Sequence, residues 1–169
     1  MTLFLDRVDS PLGSISLVTS ATALLALDFH DFDPRLHRLL RAHYGDVELR
    51  AERERLGVRD ALEAYFAGDL RALENLPTHT NGTAFQESVW SALRTIPPGT
   101  TLTYGALARD LGKPQAMRAV GLANGANPLG IVVPCHRVIG ANGTLTGYGG
   151  GLPRKRWLLA HEGAELRLL

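Results

Sequence analysis

Proline and glycine set the grain of this chain. Ile96-Pro97-Pro98-Gly99, Gly112-Lys113-Pro114, Asn127-Pro128-Leu129-Gly130 and Pro134 interrupt its second half at short intervals. Proline lacks a backbone donor and clashes with the preceding helical turn, so no long helix runs through these points. Only short elements fit between them. Thr83-Ala84-Phe85-Gln86 has the form of a capping box, with Phe85, Val89, Ala92 and Leu93 as an apolar stripe behind it. Helices are predicted over Thr103–Leu111 and Gln115–Ala126, with Gly112-Lys113-Pro114 as the turn between them. Helix, short glycine-containing turn, helix is a pattern that places its second helix against DNA. Ile131-Val132-Val133 reads as a short buried strand leading to Pro134, and Pro153–His161 as a last helix.

The first half reads differently. Thr2–Asp9 is rich in β-formers, and Pro11-Leu12-Gly13 ends it as a turn. Ser14–Thr19 alternates polar and apolar residues, the period of a half-buried strand, and Ala23–Phe29 is a third apolar run. Short turns between strands imply an antiparallel sheet. Asp33-Pro34 reads as the cap and first position of a helix carrying Leu36, Leu39, Leu40 and His43. A second helix fits Arg55–Phe66, stopped by Gly68. The polar stretch Asn75–Gly82 reads as a linker. The expected organisation is an α/β domain over 1–80 and a helical domain over 81–169.

Composition excludes several classes. The 169 residues are 45% hydrophobic and 21% charged with a net charge of +1, which does not fit a disordered chain. No apolar run approaches the ~18 residues of a membrane helix. Met1-Thr2-Leu3-Phe4-Leu5-Asp6 has no basic start, so no secretory signal is expected, and a soluble, cytoplasmic protein is the default. One cysteine allows neither an intrachain disulfide nor a multi-cysteine zinc site. The charge is divided: residues 1–80 carry nine Arg against thirteen Asp and Glu, for a net of −4. Residues 81–169 carry seven Arg and two Lys against four acids, for a net of +5. Leu111 to His161 holds no acid, which suggests a polyanionic partner for this half.

The chemistry converges on Cys135. His136 and Arg137 follow it directly, and positive neighbours favour the nucleophilic thiolate. The alternative is a structural cysteine, which is usually buried in apolar surroundings and lacks such neighbours. His136 reaches a neighbouring side chain only through a turn or a bridging water, because adjacent strand residues face opposite ways. Glu162, the first acid after the acid-free stretch, is a candidate orienter for His136; a helix-end surface acid is the alternative. The second helix of the pair is dominated by Ala and Gly, with Arg118 as the long side chain near its start. Such a helix suits close approach to a backbone or a minor groove, with Arg118 as a wedge or as a phosphate contact.

Pro134-Cys135-His136-Arg137-Val138 resembles the active-site motif of the O6-alkylguanine-DNA alkyltransferases, also called methylated-DNA–protein-cysteine methyltransferases. The likeness runs from about Thr83 to Gly163 and is fainter before that. It includes Phe85-Gln86-Glu87-Ser88-Val89-Trp90, Ile96-Pro97-Pro98-Gly99-Thr100, Tyr104, Arg118-Ala119-Val120-Gly121, Asn127-Pro128, Gly147-Tyr148-Gly149-Gly150-Gly151 and Lys155-Arg156-Trp157-Leu158-Leu159. The bacterial Ogt type is the most similar.

This resemblance implies a ribonuclease-H-like α/β domain followed by a helical domain with a winged helix-turn-helix. It implies irreversible transfer of an alkyl group from O6-alkylguanine in duplex DNA to Cys135, with O4-alkylthymine as a further candidate lesion. His136, through water, and Glu162 match the relay that deprotonates the thiol. Asn127 matches the residue whose side chain braces the turn joining the recognition helix to the active-site strand. Tyr104 matches the phenol that protonates guanine N3. Arg118 matches the finger that fills the duplex behind the flipped base, with Thr103, Gln115, Ala119, Asn124 and Arg137 as further DNA contacts. Tyr148, Gly149, Gly150, Val138 and Pro134 match the substrate pocket, with the carbonyls of Cys135 and Val138 accepting from the purine amine. No cofactor is implied. The partner implied is alkylated duplex DNA, bound by a monomer, with self-association along DNA left open.

Two departures matter. Some members carry serine at the position of Gly149, so here the hydroxyl is absent and the pocket is expected to admit larger alkyl groups. Some carry an N-terminal zinc site; this chain has no cysteine before Cys135, so no zinc is expected. The competing readings are a non-catalytic lesion-binding or regulatory DNA-binding protein, a turnover cysteine hydrolase and a redox-sensing cysteine protein.

Overall fold

The computed structural model describes residues 1–164. The chain divides into two units, Met1–Asn81 with Pro128–Val132, and Gly82–Asn127 with the chain from Val133 onward. In the first, β1 (Thr2–Val8), β2 (Ile15–Thr19) and β3 (Leu24–Phe29) form an antiparallel meander. The first turn closes with two backbone bonds between Ser10 and Gly13, of 3.0 and 3.1 Å. Gly13 sits at φ 102°, a conformation that favours glycine. Helix α1 (Asp33–Tyr44) then leads to β4 (Glu48–Ala51), which pairs parallel to β1 and completes the order β3-β2-β1-β4.

The sheet is therefore mixed rather than wholly antiparallel. Strand β4 is an edge strand with Leu49 as its one partly buried residue, so it carries no alternation to read. Strand β2 is buried along its whole length rather than half-buried. Its polar Ser16 is tolerated there because its hydroxyl donates to Asp33 Oδ1 at 2.7 Å. That bond also corrects the expected helix cap. Phe32 occupies the cap of α1 with no side-chain bond, while the Asp33 carboxylate also binds Arg7 and His30. Leu36 and Leu40 of α1 pack against Leu3, Val18, Leu25 and Ala26 of the sheet.

Helix α2 (Val58–Phe66) starts three residues later than Arg55, because Gly57 before it is left-handed at φ 81°. Two segments then bond to β3. Leu24 N–H donates to Pro77 O at 2.8 Å and Leu24 O accepts from His79 N–H at 3.0 Å. Leu27 N–H donates to Pro128 O at 2.9 Å and Leu27 O accepts from Gly130 N–H at 3.1 Å.

In the second unit, α3 (Ala84–Leu93) opens on the expected capping box, with Gln86 N–H donating to Thr83 Oγ1 at 3.1 Å and Thr83 N–H to Gln86 Oε1 at 3.0 Å. Its Trp90 indole donates to Ala123 O at 2.9 Å. A two-residue β5 (Leu102–Thr103) precedes α4 (Tyr104–Asp110), whose cap is Thr103. Helix α5 (Met117–Gly125) follows, and its Val120, Ala123 and Asn124 are buried. A two-residue β6 (Val138–Ile139) pairs parallel with β5, and α6 (Leu152–His161) ends the described elements. Neither short strand has a length that sequence patterning reveals.

The expected strand over Ile131-Val132-Val133 is buried but is not a strand. Ile131 is left-handed at φ 68°, and Val132 N–H and Cys135 N–H each reach back two residues, to Gly130 O at 2.7 Å and Val133 O at 2.8 Å. These tight turns replace a ladder and deliver the chain into a 3₁₀ turn at Cys135–Arg137.

Loss of the α3 cap has a defined cost. Thr83→Ala should lower stability by about 1 kcal/mol. In urea the unfolding midpoint should fall while the slope stays unchanged.

Candidate active site

The 3₁₀ turn at Cys135–Arg137 has about three residues per turn, so its side chains splay in three directions. All three are buried: Cys135 is 6% exposed, His136 0% and Arg137 7%. Helix α6 delivers Glu162 at its C-terminal cap, also buried. His136 Nε2 lies 3.0 Å from Glu162 Oε2. Arg137 grips the same carboxylate with both edges of its fork, Nε to Oε1 at 2.9 Å and Nη2 to Oε2 at 2.8 Å, and donates Nη1–H to Ile96 O at 2.6 Å.

The electrostatics follow from burial and these bonds. Burial works to raise the Glu162 carboxyl, but hydrogen bonds from Arg137 and His136 and the Arg137 charge override it and hold it well below the carboxylate range. Burial pushes the His136 imidazole down; Glu162 opposes, and the Arg137 and Lys155 charges add to the depression. An ionised carboxylate only accepts, so His136 Nε2 carries the proton. His136 Nδ1 is buried and meets no hydrogen-bonding protein atom. The site therefore holds a neutral imidazole with one bare nitrogen, beside a thiol.

Two asparagines shape the turn at Cys135. Asn127 Nδ2–H donates to Val133 O at 2.8 Å, bracing the turn before Cys135. Asn124 Nδ2 reaches Cys135 O at 3.5 Å, and an Asn124 hydrogen bond also bears on Tyr104. The geometry moves two expected DNA contacts inward. Asn124 is 5% exposed beneath the turn, and the Arg137 fork is consumed by Glu162 and Ile96. Gln115, Arg118 and Ala119 are exposed on and before α5, and the Thr103 hydroxyl caps α4.

A cleft of about 770 Å³ lies between α4 and α5 and is lined by Thr103, Tyr104, Arg109, Met117, Arg118 and Gly121, among others. Of the expected pocket residues, Val138, Pro134, Tyr148, Gly149 and Gly150 are not on its wall. Tyr104 O–H donates to Thr146 O at 3.3 Å, and burial pushes its phenol up, so it keeps its proton.

Sequence reasoning missed Lys155. Its ammonium is wholly buried and donates to Val138 O at 2.6 Å, Thr146 O at 2.8 Å and Gly147 O at 3.3 Å, tying the loop before Tyr148 to β6. Burial lowers its pKa to about 8. Within Arg154-Lys155-Arg156 it reads as one of a basic run, but its spacing from Leu158, Leu159 and Glu162 puts it on the inward face of α6. Among the described residues no cluster of His, Cys, Asp or Glu is placed to hold a metal ion. No helix of the described residues is long and apolar enough to cross a membrane.

The depressed His136 and Glu162 give the same sign of pH dependence. Below the ordinary histidine range the unfolded chain binds a proton that folded His136 refuses, and below 4.5 the same holds for Glu162. The stability each contributes is present above its unfolded pKa and is lost as pH falls toward the folded one. Urea denaturation across acid pH should show that loss below 4.5, and Glu162→Gln should flatten it.

The family description "6-O-methylguanine DNA methyltransferase, DNA binding domain" matches residues 84–164. A methylated-DNA–protein-cysteine methyltransferase of Shigella flexneri is 49% identical over 162 residues, covering 94% of each chain. One from Salmonella typhimurium is 50% identical over 161 residues, again covering 94% of each. The crystal structure of Mycobacterium tuberculosis OGT in complex with DNA superposes with a TM-score of 0.80 at 45% identity, covering 95% of this chain and 92% of that one. With that identity over nearly its whole length, the chain belongs to the methylated-DNA–protein-cysteine methyltransferase family.

Proposed function

We propose that this protein repairs alkylated DNA by direct reversal, taking the alkyl group of O6-alkylguanine onto Cys135 and being consumed in one turnover. The observation that carries this reading is Cys135 beside a neutral, buried His136 oriented by an ionised Glu162. In this reading a water passes the thiol proton to His136 Nδ1. The thiolate then attacks the alkyl carbon, a C–S bond forms, and the C–O6 bond breaks with its electron pair going to the purine. That purine anion is a poor leaving group until protonated, and Tyr104, a phenol that holds its proton, supplies it at N3. The thioether product offers water no carbonyl to attack, so the cysteine is not regenerated and a hydrolase cycle is disfavoured.

The lesion is buried in a base stack, so the nucleotide is flipped out at a cost of a few kcal/mol. Exposed Arg118 on a helix of small residues suits the wedge role. Phosphate contacts then dominate affinity, which falls with salt and varies little with sequence. The strand order β3-β2-β1-β4 supports the ribonuclease-H-like reading of the first unit, and α4–turn–α5 with β5 and β6 the winged helix-turn-helix of the second. We read the protein as a cytoplasmic monomer on DNA, with O4-alkylthymine as a second lesion.

Intact mass spectrometry after mixing with an O6-methylguanine duplex tests the reaction. Cys135 should gain one methyl group per molecule, and Cys135→Ala none. An unchanged mass with the duplex still bound would make this a lesion-binding protein instead. Gly149 bears on alkyl size: Gly149→Ser should slow transfer of a bulky alkyl group more than of methyl. Equal slowing in single-turnover assays would remove Gly149 from specificity.

A further inference from the structure

We infer that Arg137 is a positioning residue for the acceptor's base: anchored on the Ile96 carbonyl, it holds Glu162 as an oriented anion and thereby fixes which nitrogen of His136 is bare. The inference rests on the reading of His136 as the base given above.

Arg137 stands apart from the other arginines of the second half. Arg94, Arg109, Arg118 and Arg156 are exposed, whereas Arg137 is 7% exposed. Its fork–fork pairing with Glu162, at 2.8 and 2.9 Å, is geometry that arginine alone provides. Glu162 Oε2 is shared between Arg137 Nη2 and His136 Nε2. While Glu162 is an anion, the shared oxygen can only accept, and His136 must be the Nε2–H tautomer with Nδ1 free to take a proton. A protonated Glu162 would donate instead, and the proton would move to His136 Nδ1, disarming the base. Burial alone drives Glu162 toward that protonated form. Arg137 is the fixed charge that prevents it. The other groups acting on His136 are Lys155 on α6, which adds positive charge, and Glu162 itself; the Cys135 charge acts in turn on Lys155 and on the Tyr104 phenol.

This gives Ile96-Pro97-Pro98-Gly99 a purpose beyond stopping a helix. Ile96 O accepts the third arm of Arg137 at 2.6 Å. Gly99, left-handed at φ 84°, packs so closely that a Cβ there would lie 2.9 Å from Glu162 O. One turn thus sets the guanidinium from its start and the glutamate backbone from its end.

The test uses the full chain as wild type, Arg137→Met, Arg137→Lys, Glu162→Gln and the Arg137→Met/Glu162→Gln double variant, with an O6-methylguanine duplex under single-turnover conditions. Arg137→Met should slow transfer near neutral pH by about 10- to 100-fold, no more than a general base contributes. Its acid limb should move to higher pH, since both Glu162 and His136 then hold protons more readily. Arg137→Lys, which keeps the charge without the fork, should fall between. The double variant should be no slower than Glu162→Gln, because Arg137 acts through that carboxylate. Equal slowing at every pH, or additive losses in the double variant, would overturn the inference.

Nitrogen NMR of His136 decides the point without reference to activity. Wild type should carry the proton on Nε2 with Nδ1 bare, and Arg137→Met should show a mixed or protonated ring. A proton on Nδ1 in wild type overturns the inference even if no variant folds. Absence of alkyl transfer by wild type would instead defeat the proposed function and leave the NMR result standing.

Discussion

A carboxylate without water around it keeps its charge only if its neighbours supply what water would have. Glu162 is such a group, and much of the second unit is arranged around that requirement. Its oxygens take bonds from Arg137 and His136, its backbone lies against Gly99, and the helix that ends at it also carries buried Lys155. Removing one partner would strand the charge, which is costly in a way that breaking a surface ion pair is not. The exposed pairs of the first unit, such as Arg41 with Asp46 at 3.7 Å, carry no comparable obligation.

The same unit separates what must be fixed from what must meet a partner. Turn, imidazole and carboxylate are buried, and the carbonyls of Val133 and Cys135 accept from Asn127 and Asn124. The cleft between α4 and α5 is open and holds small residues with Arg109 and Arg118 at its wall. Tyr104 touches both regions: its hydroxyl rests on Thr146 O, the carbonyl that Lys155 also holds. A proton donor whose resting partner is already satisfied by a lysine loses little when it turns to another acceptor.

What the sequence revealed follows from what leaves a local trace. The capping box at Thr83, the Gly-Pro turn after α4 and the three strand-length runs of the first half are local, and they stand where the pattern put them. Strand β4 leaves no trace because its partner lies across a helix and its residues face solvent. The turn at Ile131 was misread because a run of Ile and Val looks like a strand whichever backbone it adopts. Arg137 reads as a DNA contact and Lys155 as one of a basic run, since nothing local marks which cation finds buried carbonyls or a carboxylate. Cys135, His136 and Glu162 were legible as candidates, but the meeting of His136 with Glu162 rests on a 3₁₀ turn and a helix end that are 25 residues apart in sequence.

The bonds from Pro128 and Gly130 to Leu27 carry a different kind of consequence. The second half of the chain is interrupted: between α5 and the acceptor turn it lends five residues, Pro128–Val132, to the first unit and then returns. The chain thus passes between the two units three times, and no single scission separates them. A fragment cut at the linker would carry away a loop whose hydrogen-bonding strand had been left behind, and that loop is the lead-in to Cys135. Inheritance, duplication or transplantation of the reactive half therefore has to bring the sheet with it, or build a substitute edge for one short stretch of backbone.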